Sequence, residues 1–204
     1  MTLPLVEWAV AEKAYPGETR SGDSYTVLVR NERAMIGVVD GVGHGAEAAD
    51  AAVAAIETIE RFASESVERL FMRCHERLSE TRGAALTLVS YDGSDRQLTW
   101  LGAGNVTASL VQRYESPEPP FSDLLVRSGL VGSQLPHSLS SSSAAVNPGD
   151  LLILTTDGVR NEFLDTVRPR ENLQHQADRI LEEFQSPSDD ALVLVARLNG
   201  FGAG

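Results

Sequence analysis

Five aspartates carry most of the chemistry that this sequence offers: Asp23, Asp40, Asp157, Asp189 and Asp190. Each stands where an apolar run begins or ends beside Gly, Ser or Thr. The stretches are SGDSY at 21–25, VVDGVGHG at 38–45, LLILTTDGV at 151–159 and SDDALVLVARL at 188–198. A carboxylate that terminates a buried strand projects from the end of the sheet rather than into its core. Glycines beside it let a ligand approach the main chain, and carboxylates with nearby backbone carbonyls suit a hard divalent cation such as Mg or Mn. Taken alone, Asp40 reads equally as part of a strand-to-helix turn, helping to satisfy a helix N-terminus. Four such places are different. Brought together without a cation, and with few Lys or Arg beside them, they would repel one another by several kcal/mol. If they converge, the charge count implies a two-metal site with ions about 4 Å apart. Such a site suits direct attack of an activated water on a phosphate ester, with no covalent enzyme intermediate.

The elements that must position these acids are legible from periodicity. VEWAVAEKA, between Leu5 and Ala14, alternates as a first strand, and the turn-rich YPGETRSGD delivers Asp23. Tyr25–Arg30 is alternating and β-branched. The short turn Asn31–Arg33 leads into the MIGVVD strand, which predicts an antiparallel hairpin with Asp23 and Asp40 side by side at its open end. Helical spacing follows from Ala46 to Ala63, with Ala49, Ala52, Val53, Ile56 and Ile59 as the apolar positions, and again from Ser64 to Arg82 up to Gly83. So many alanines imply a helix lying close to a sheet. Strands are then expected at Ala84–Tyr91, Gln97–Gly102 and Val106–Arg113, joined by the hairpin signal DGSD and the short AGN link. The proline-rich stretch 114–122 reads as a surface loop. Asp123–Arg127 and the serine run Ser140–Val146 are weaker strand candidates, the latter an edge strand, although SLSSSS also fits a linker. After the turn Asn147-Pro148-Gly149 comes a buried strand, Leu151–Leu154. A helix in two pieces follows, with Leu173, Ala177, Ile180, Leu181 and Phe184 on one face, and the last strand is ALVLVARL. Hairpins plus helical pairs, with no repeat and no linker, give an α+β sandwich of two antiparallel sheets flanked by helices, one domain over 1–204.

Composition narrows the function. Twenty-nine acidic against 17 basic residues leave a net charge of −12, so the chain has no basic cluster for a nucleic-acid backbone. The single cysteine, Cys74, excludes an intrachain disulfide and fits a reducing cytoplasm. Its helical neighbours Leu70, Phe71 and Leu78 mark it as a core residue. No signal peptide is evident and no apolar run reaches the ~18 residues of a membrane span, so a cytoplasmic location with no membrane partner is expected.

The four Asp stretches, in order and spacing, resemble the signatures of the metal-dependent protein phosphatases of the 2C type. Within that family the chain is most similar to the bacterial SpoIIE-type serine phosphatases, and there to the compact RsbX-like stressosome branch, on its length and on the AGN link at 103–105. The resemblance runs from Glu7 to Leu198. It implies the αββα fold of that family and a Mn- or Mg-dependent phosphoserine/phosphothreonine phosphatase with two ions. It also implies a phosphorylated STAS-domain protein of a stressosome or partner-switching pathway as substrate. Residue by residue, Asp40 would bridge both metals and the Gly41 carbonyl would bind the second. Asp157 and Asp189 would hold the first. Asp23 would serve the second, directly or through water. Asp190 stands where many members carry Asn, and would be a further ligand. Asp40 and Asp157 are the residues on which turnover should depend.

One departure is visible. Many eukaryotic members grip the substrate phosphate with an Arg in the first strand, whereas the early cations here are Lys13 and Arg20, and neither aligns with it. Substrate selection would then fall to surface loops, with 114–122 and 129–138 as candidates. His44 reads either as a general acid or as a residue packed and bonded locally at the helix start. His75, His137 and His175 have no partner at ligand spacing, and Trp8 and Trp100 read as sheet-packing aromatics. Two other functions are consistent with the sequence: a catalytically inactive binding module on the same fold, and a phosphatase acting on a small molecule or nucleotide. Because the chain starts almost at its first strand, constitutive activity is expected.

Overall fold

The computed structural model describes residues 3–113, 121–135 and 138–200. In chain order its elements are β1 (Val6–Lys13), β2 (Asp23–Arg30), β3 (Arg33–Gly41), α1 (Ala46–Phe62), α2 (Val67–Leu78), β4 (Ala84–Asp92) and β5 (Gln97–Ala103). Then come β6 (Thr107–Val111), β7 (Phe121–Asp123), β8 (Ser142–Ala145), β9 (Asp150–Thr155), a 3-10 turn at Asn161–Thr166, α3 (Leu173–Phe184) and β10 (Ala191–Leu198). They form two five-stranded antiparallel sheets, β1-β10-β9-β6-β7 and β2-β3-β4-β5-β8.

Strands buried on both faces explain the layering. Along β10, Leu192, Leu194 and Ala196 enter the core between the sheets, while Ala191, Val193 and Val195 pack towards α3. In β3, Ile36 and Val38 face the other sheet, and Met35 and Val39 face α1 and α2. This double burial is why both runs read as continuously apolar. The alanines of α1 do what their number suggests. Ala51, Ala52 and Ala55 lie in the helix-side core with Val39 and Ile59, which brings the helix close to the sheet.

Local chemistry accounts for the departures from the sequence reading. Helix α2 stops at Leu78 rather than Arg82 because Ser79 Oγ and Thr81 Oγ1 donate to the Glu76 and Leu78 carbonyls, each at 2.8 Å, and so satisfy its last turn. Of the two helical pieces after β9, the first is only a 3-10 turn. The AGN link carries the chain from one sheet to the other, since β5 and β6 belong to different sheets. Strand β7 is shorter and earlier than the 123–127 expected. Leu124 N then donates to Ala108 of one sheet and Arg127 N to Gly102 of the other, so this segment straddles the sandwich. The serine run does form an edge strand, β8. Trp100 is 8% exposed in the inter-sheet core, whereas Trp8, on the edge strand β1, is 44% exposed and does not pack as a core aromatic. Of the loops proposed for substrate selection, 114–120 and 136–137, with His137, lie outside the described residues.

Two glycines are fixed by close contact. A methyl group on Gly41 would overlap the Ala48 carbonyl of α1, and one on Gly158 would overlap the Asp190 carbonyl. Each follows an aspartate, so the main chain beside Asp40 and Asp157 is pinned to its neighbours. Gly41→Ala should therefore destabilise the fold by about 3 kcal/mol. Thermal or urea unfolding measures this, and an unchanged midpoint would show that α1 yields without cost.

Candidate metal centre

The β2–β3 ladder places the first two acids. Its register pairs Asp23 with Asp40 directly, so the two carboxylates sit side by side at the end of one sheet. Thr156 reaches across from the other sheet. Its Oγ1 donates to Asp23 Oδ2 at 2.7 Å and accepts from Leu192 N at 2.9 Å. The second Asp23 oxygen, Oδ1, is buried without a hydrogen-bond partner.

The other acids come from β9 and β10. These strands are antiparallel neighbours, with Thr155 opposite Val193, so Asp157 beyond the end of one and Asp189 before the start of the other emerge at the same place. Asp190 has a different task from that expected. Its two oxygens accept from Tyr15 N at 2.8 Å and from Gly22 N at 3.0 Å. It is 3% exposed and ties the segment leading to Asp23 onto the first sheet, and it is not among the residues that line the cavity at the site.

That cavity, about 560 Å³, is lined by Asp40, Asp157 and Asp189, by the glycine loop at Val42–His44, and by Asn105, Gly129 and Leu130 among others. Asn105 Nδ2 donates to Asp157 Oδ2. His44 stacks face to face on Tyr15, with ring centroids 4.1 Å apart, and its Nδ1 lies 3.1 Å from Glu18 Oε1. It is thus bonded locally and also stands on the cavity wall. Lys13 and Arg20 are elsewhere: Lys13 is exposed at the end of β1, and Arg20 pairs with Asp50 of α1 at 2.8 Å. Further away, His75 Nδ1 accepts from Gly132 N, and His175 sits exposed on α3. Burial pushes the Cys74 thiol up to about 12, which leaves it inert.

Electrostatics test whether these residues suit a cation. Burial first, and then the neighbouring carboxylates, push Asp23 up to about 8 despite the Thr156 hydrogen bond. Asp40 moves the same way, by burial and then by Asp23, Asp157 and Asp189. Asp189 is also raised, by burial and by Asp157. Among the described residues no three Asp, Glu, His or Cys side chains stand as a ready-made ligand cage. The set nevertheless fits a hard divalent ion. It supplies only oxygen donors, one of them orphaned, around an open cavity, and it carries more negative charge than it can hold ionised. The sign of the pH effect follows. Asp23 and Asp40 bind protons more tightly folded than unfolded, so their contribution to stability is complete below their unfolded values and is lost as pH rises through their folded ones. In chelator, the melting temperature should fall by roughly 4 °C or more between pH 5 and 8. Asp23→Asn should flatten that slope, and a pH-independent melting temperature in the unsubstituted chain would contradict it.

Several contributors escaped the sequence reading. Thr156 left one signal, a hydroxyl at the end of an apolar strand, where a buried polar group must find a partner. Asn105 was visible only as part of a link. Tyr15 left no signal, because its role depends on a backbone N–H and a ring stack that form only in the fold.

The comparisons agree with this fold. Residues 30–199 match the family model for stage II sporulation protein E, SpoIIE. Phosphoserine phosphatase RsbX of Bacillus subtilis (strain 168) is 24% identical over 184 residues, 90% of each chain. A chain solved in work on the bacterial stressosome as a modular system superposes with a TM-score of 0.87 at 27% identity, covering 94% of this chain and 99% of that one. RsbX in complex with magnesium gives 0.84 at 22% identity, over 98% and 99% of the two chains. Two antiparallel sheets with helices outside, acids gathered at their adjoining ends and a family match over most of the length lead to one conclusion: the chain belongs to the SpoIIE family and is a phosphatase domain of the PP2C type.

Proposed function

We propose that this protein is a single-domain Mn- or Mg-dependent phosphoserine/phosphothreonine protein phosphatase. The observation that carries the reading is that Asp40 from one sheet meets Asp157 and Asp189 from the other around one open cavity, with Asp23 buried beside Asp40 in the ladder behind it. Asp40, Asp157 and Asp189 line that cavity and would hold the cation or cations. Asp23, through its orphaned oxygen, and the Gly41 carbonyl would complete the set. Asp190 is left out, since its oxygens serve Tyr15 and Gly22. When bound, divalent metal supplies charge neutralisation for the phosphoryl group and activates water for attack on phosphorus.

The remaining work belongs to this chain's own residues. Asn105 orients Asp157 by donating to Oδ2. Thr156 holds Asp23 against the opposite sheet. Asp190 anchors the Tyr15–Gly22 segment, and the His44–Tyr15 stack stiffens the glycine loop. An inactive binding module would have no use for buried carboxylates at such mutual cost.

The substrate proposed is a phosphorylated STAS-domain protein of a stressosome or partner-switching pathway, in the cytoplasm. Support comes from the likeness to RsbX and to a chain solved in work on the bacterial stressosome. The net charge of −12 disfavours nucleic acid, and no helix among the described residues is long and apolar enough to cross a membrane.

Hydrolysis of para-nitrophenyl phosphate and of a phosphoserine peptide, with Mn and then with chelator, tests this reading. Turnover should require the metal. Asp40→Asn and Asp157→Asn should each lower kcat by about 10³-fold or more, with a native circular dichroism spectrum. Undiminished turnover in both variants would refute the assignment.

A further inference from the structure

The cavity wall contains no Lys or Arg among its described residues, yet a phosphate ester must approach carboxylates in a strongly acidic protein. One cation beside a lining segment is Arg82, in the turn between α2 and β4. Val42 N donates to Gly83 O at 3.1 Å, which fastens the glycine loop to this turn. The Arg82 guanidinium lies over the loop, its Nη1 3.1 Å from where a Cβ on Gly43 would stand. Gly43 and Val42 themselves line the cavity. A second guanidinium nitrogen pairs with Glu47, in the first turn of α1.

Both members of that pair are open to solvent, with side chains 52% and 67% exposed. An exposed ion pair of this kind holds weakly, so an anionic oxygen arriving at the mouth of the cavity can replace Glu47 as the guanidinium's partner. The planar fork of Arg also matches the paired oxygens of a phosphoryl or carboxylate group.

We propose that Arg82 is a substrate-recognition residue that takes an anionic oxygen of the substrate at the cavity mouth, and that Glu47 competes with the substrate for it. The oxygen belongs either to the phosphoryl group or to an acidic residue flanking the phosphoserine. This rests on the phosphatase reading above. It assigns Arg82 to binding; Gly43 is a glycine because its backbone takes a φ of +89°.

Steady-state kinetics on the Mn-loaded chain separate the possibilities. The substrates are para-nitrophenyl phosphate, a phosphoserine peptide with neutral flanks and one with acidic flanks, and the variants are Arg82→Ala, Arg82→Lys and Glu47→Gln. Arg82→Ala should lower kcat/KM about tenfold, Arg82→Lys should recover part of the loss, and Glu47→Gln should raise kcat/KM about twofold or more. A loss equal on all three substrates assigns the contact to the phosphoryl oxygens. A loss confined to the acidic peptide assigns it to a flanking carboxylate. Wild-type kinetics in Arg82→Ala on all three substrates would overturn the proposal and leave the phosphatase reading standing. So would a parallel loss in Glu47→Gln, the mark of a pair that merely braces the turn. A wild-type chain that hydrolyses none of the three would overturn both.

Discussion

Repulsion between carboxylates is the constraint around which this molecule is arranged. Asp23 and Asp40 are opposed in a β-ladder, a register that brings side chains on one face within a few ångströms, and burial deprives them of the water that would screen their charges. The fold does not relieve the strain by supplying a neighbouring base. It holds the acids in place by hydrogen bonds from neutral groups: the Thr156 hydroxyl on Asp23, the Asn105 amide on Asp157, and backbone N–H groups on Asp190. Neutral donors fix a carboxylate without cancelling its charge, so the capacity to attract a cation is kept. An arginine in any of these places would make a more stable domain and a poorer cation site.

The scaffold supplies rigidity where the acids need it. Asp40 and Asp157 are each followed by a glycine against which another backbone is pressed, Ala48 in one case and Asp190 in the other. The immediate surroundings of these aspartates are therefore set by main-chain contact. Such contact is less forgiving than side-chain packing, because peptide groups cannot change rotamer to escape an overlap.

Much of this was legible in the sequence, for reasons that can be stated. Strands buried on both faces gave unbroken apolar runs, so β3, β9 and β10 stood out, and the acids stood out as polar interruptions at their ends. The pairing of Asp23 with Asp40 followed from a short turn and a two-residue period, which leave one register. What stayed hidden depends on contacts between distant segments. That β5 and β6 part into different sheets follows from how the sandwich closes, not from the AGN link itself. Asp190 looks like its neighbour Asp189 in sequence, yet one faces the cavity and the other binds the backbone at Tyr15 and Gly22. Adjacent residues at a strand start point opposite ways, and only the packed structure says which way matters. Trp8 misled because it shares the inter-sheet face of β1 with Val6 and Val10 but stands at the edge of its sheet, where the ring stays 44% exposed.

The division of the acids between two sheets has a mechanical consequence. Asp23 and Asp40 travel with one sheet, Asp157 and Asp189 with the other, and the two halves are stitched by Thr156 and Asp190. The spacing across the site is thus a gauge of how the layers of the sandwich are offset. A slip of one layer against the other would be read at the carboxylates as a change in the fit of a small ion.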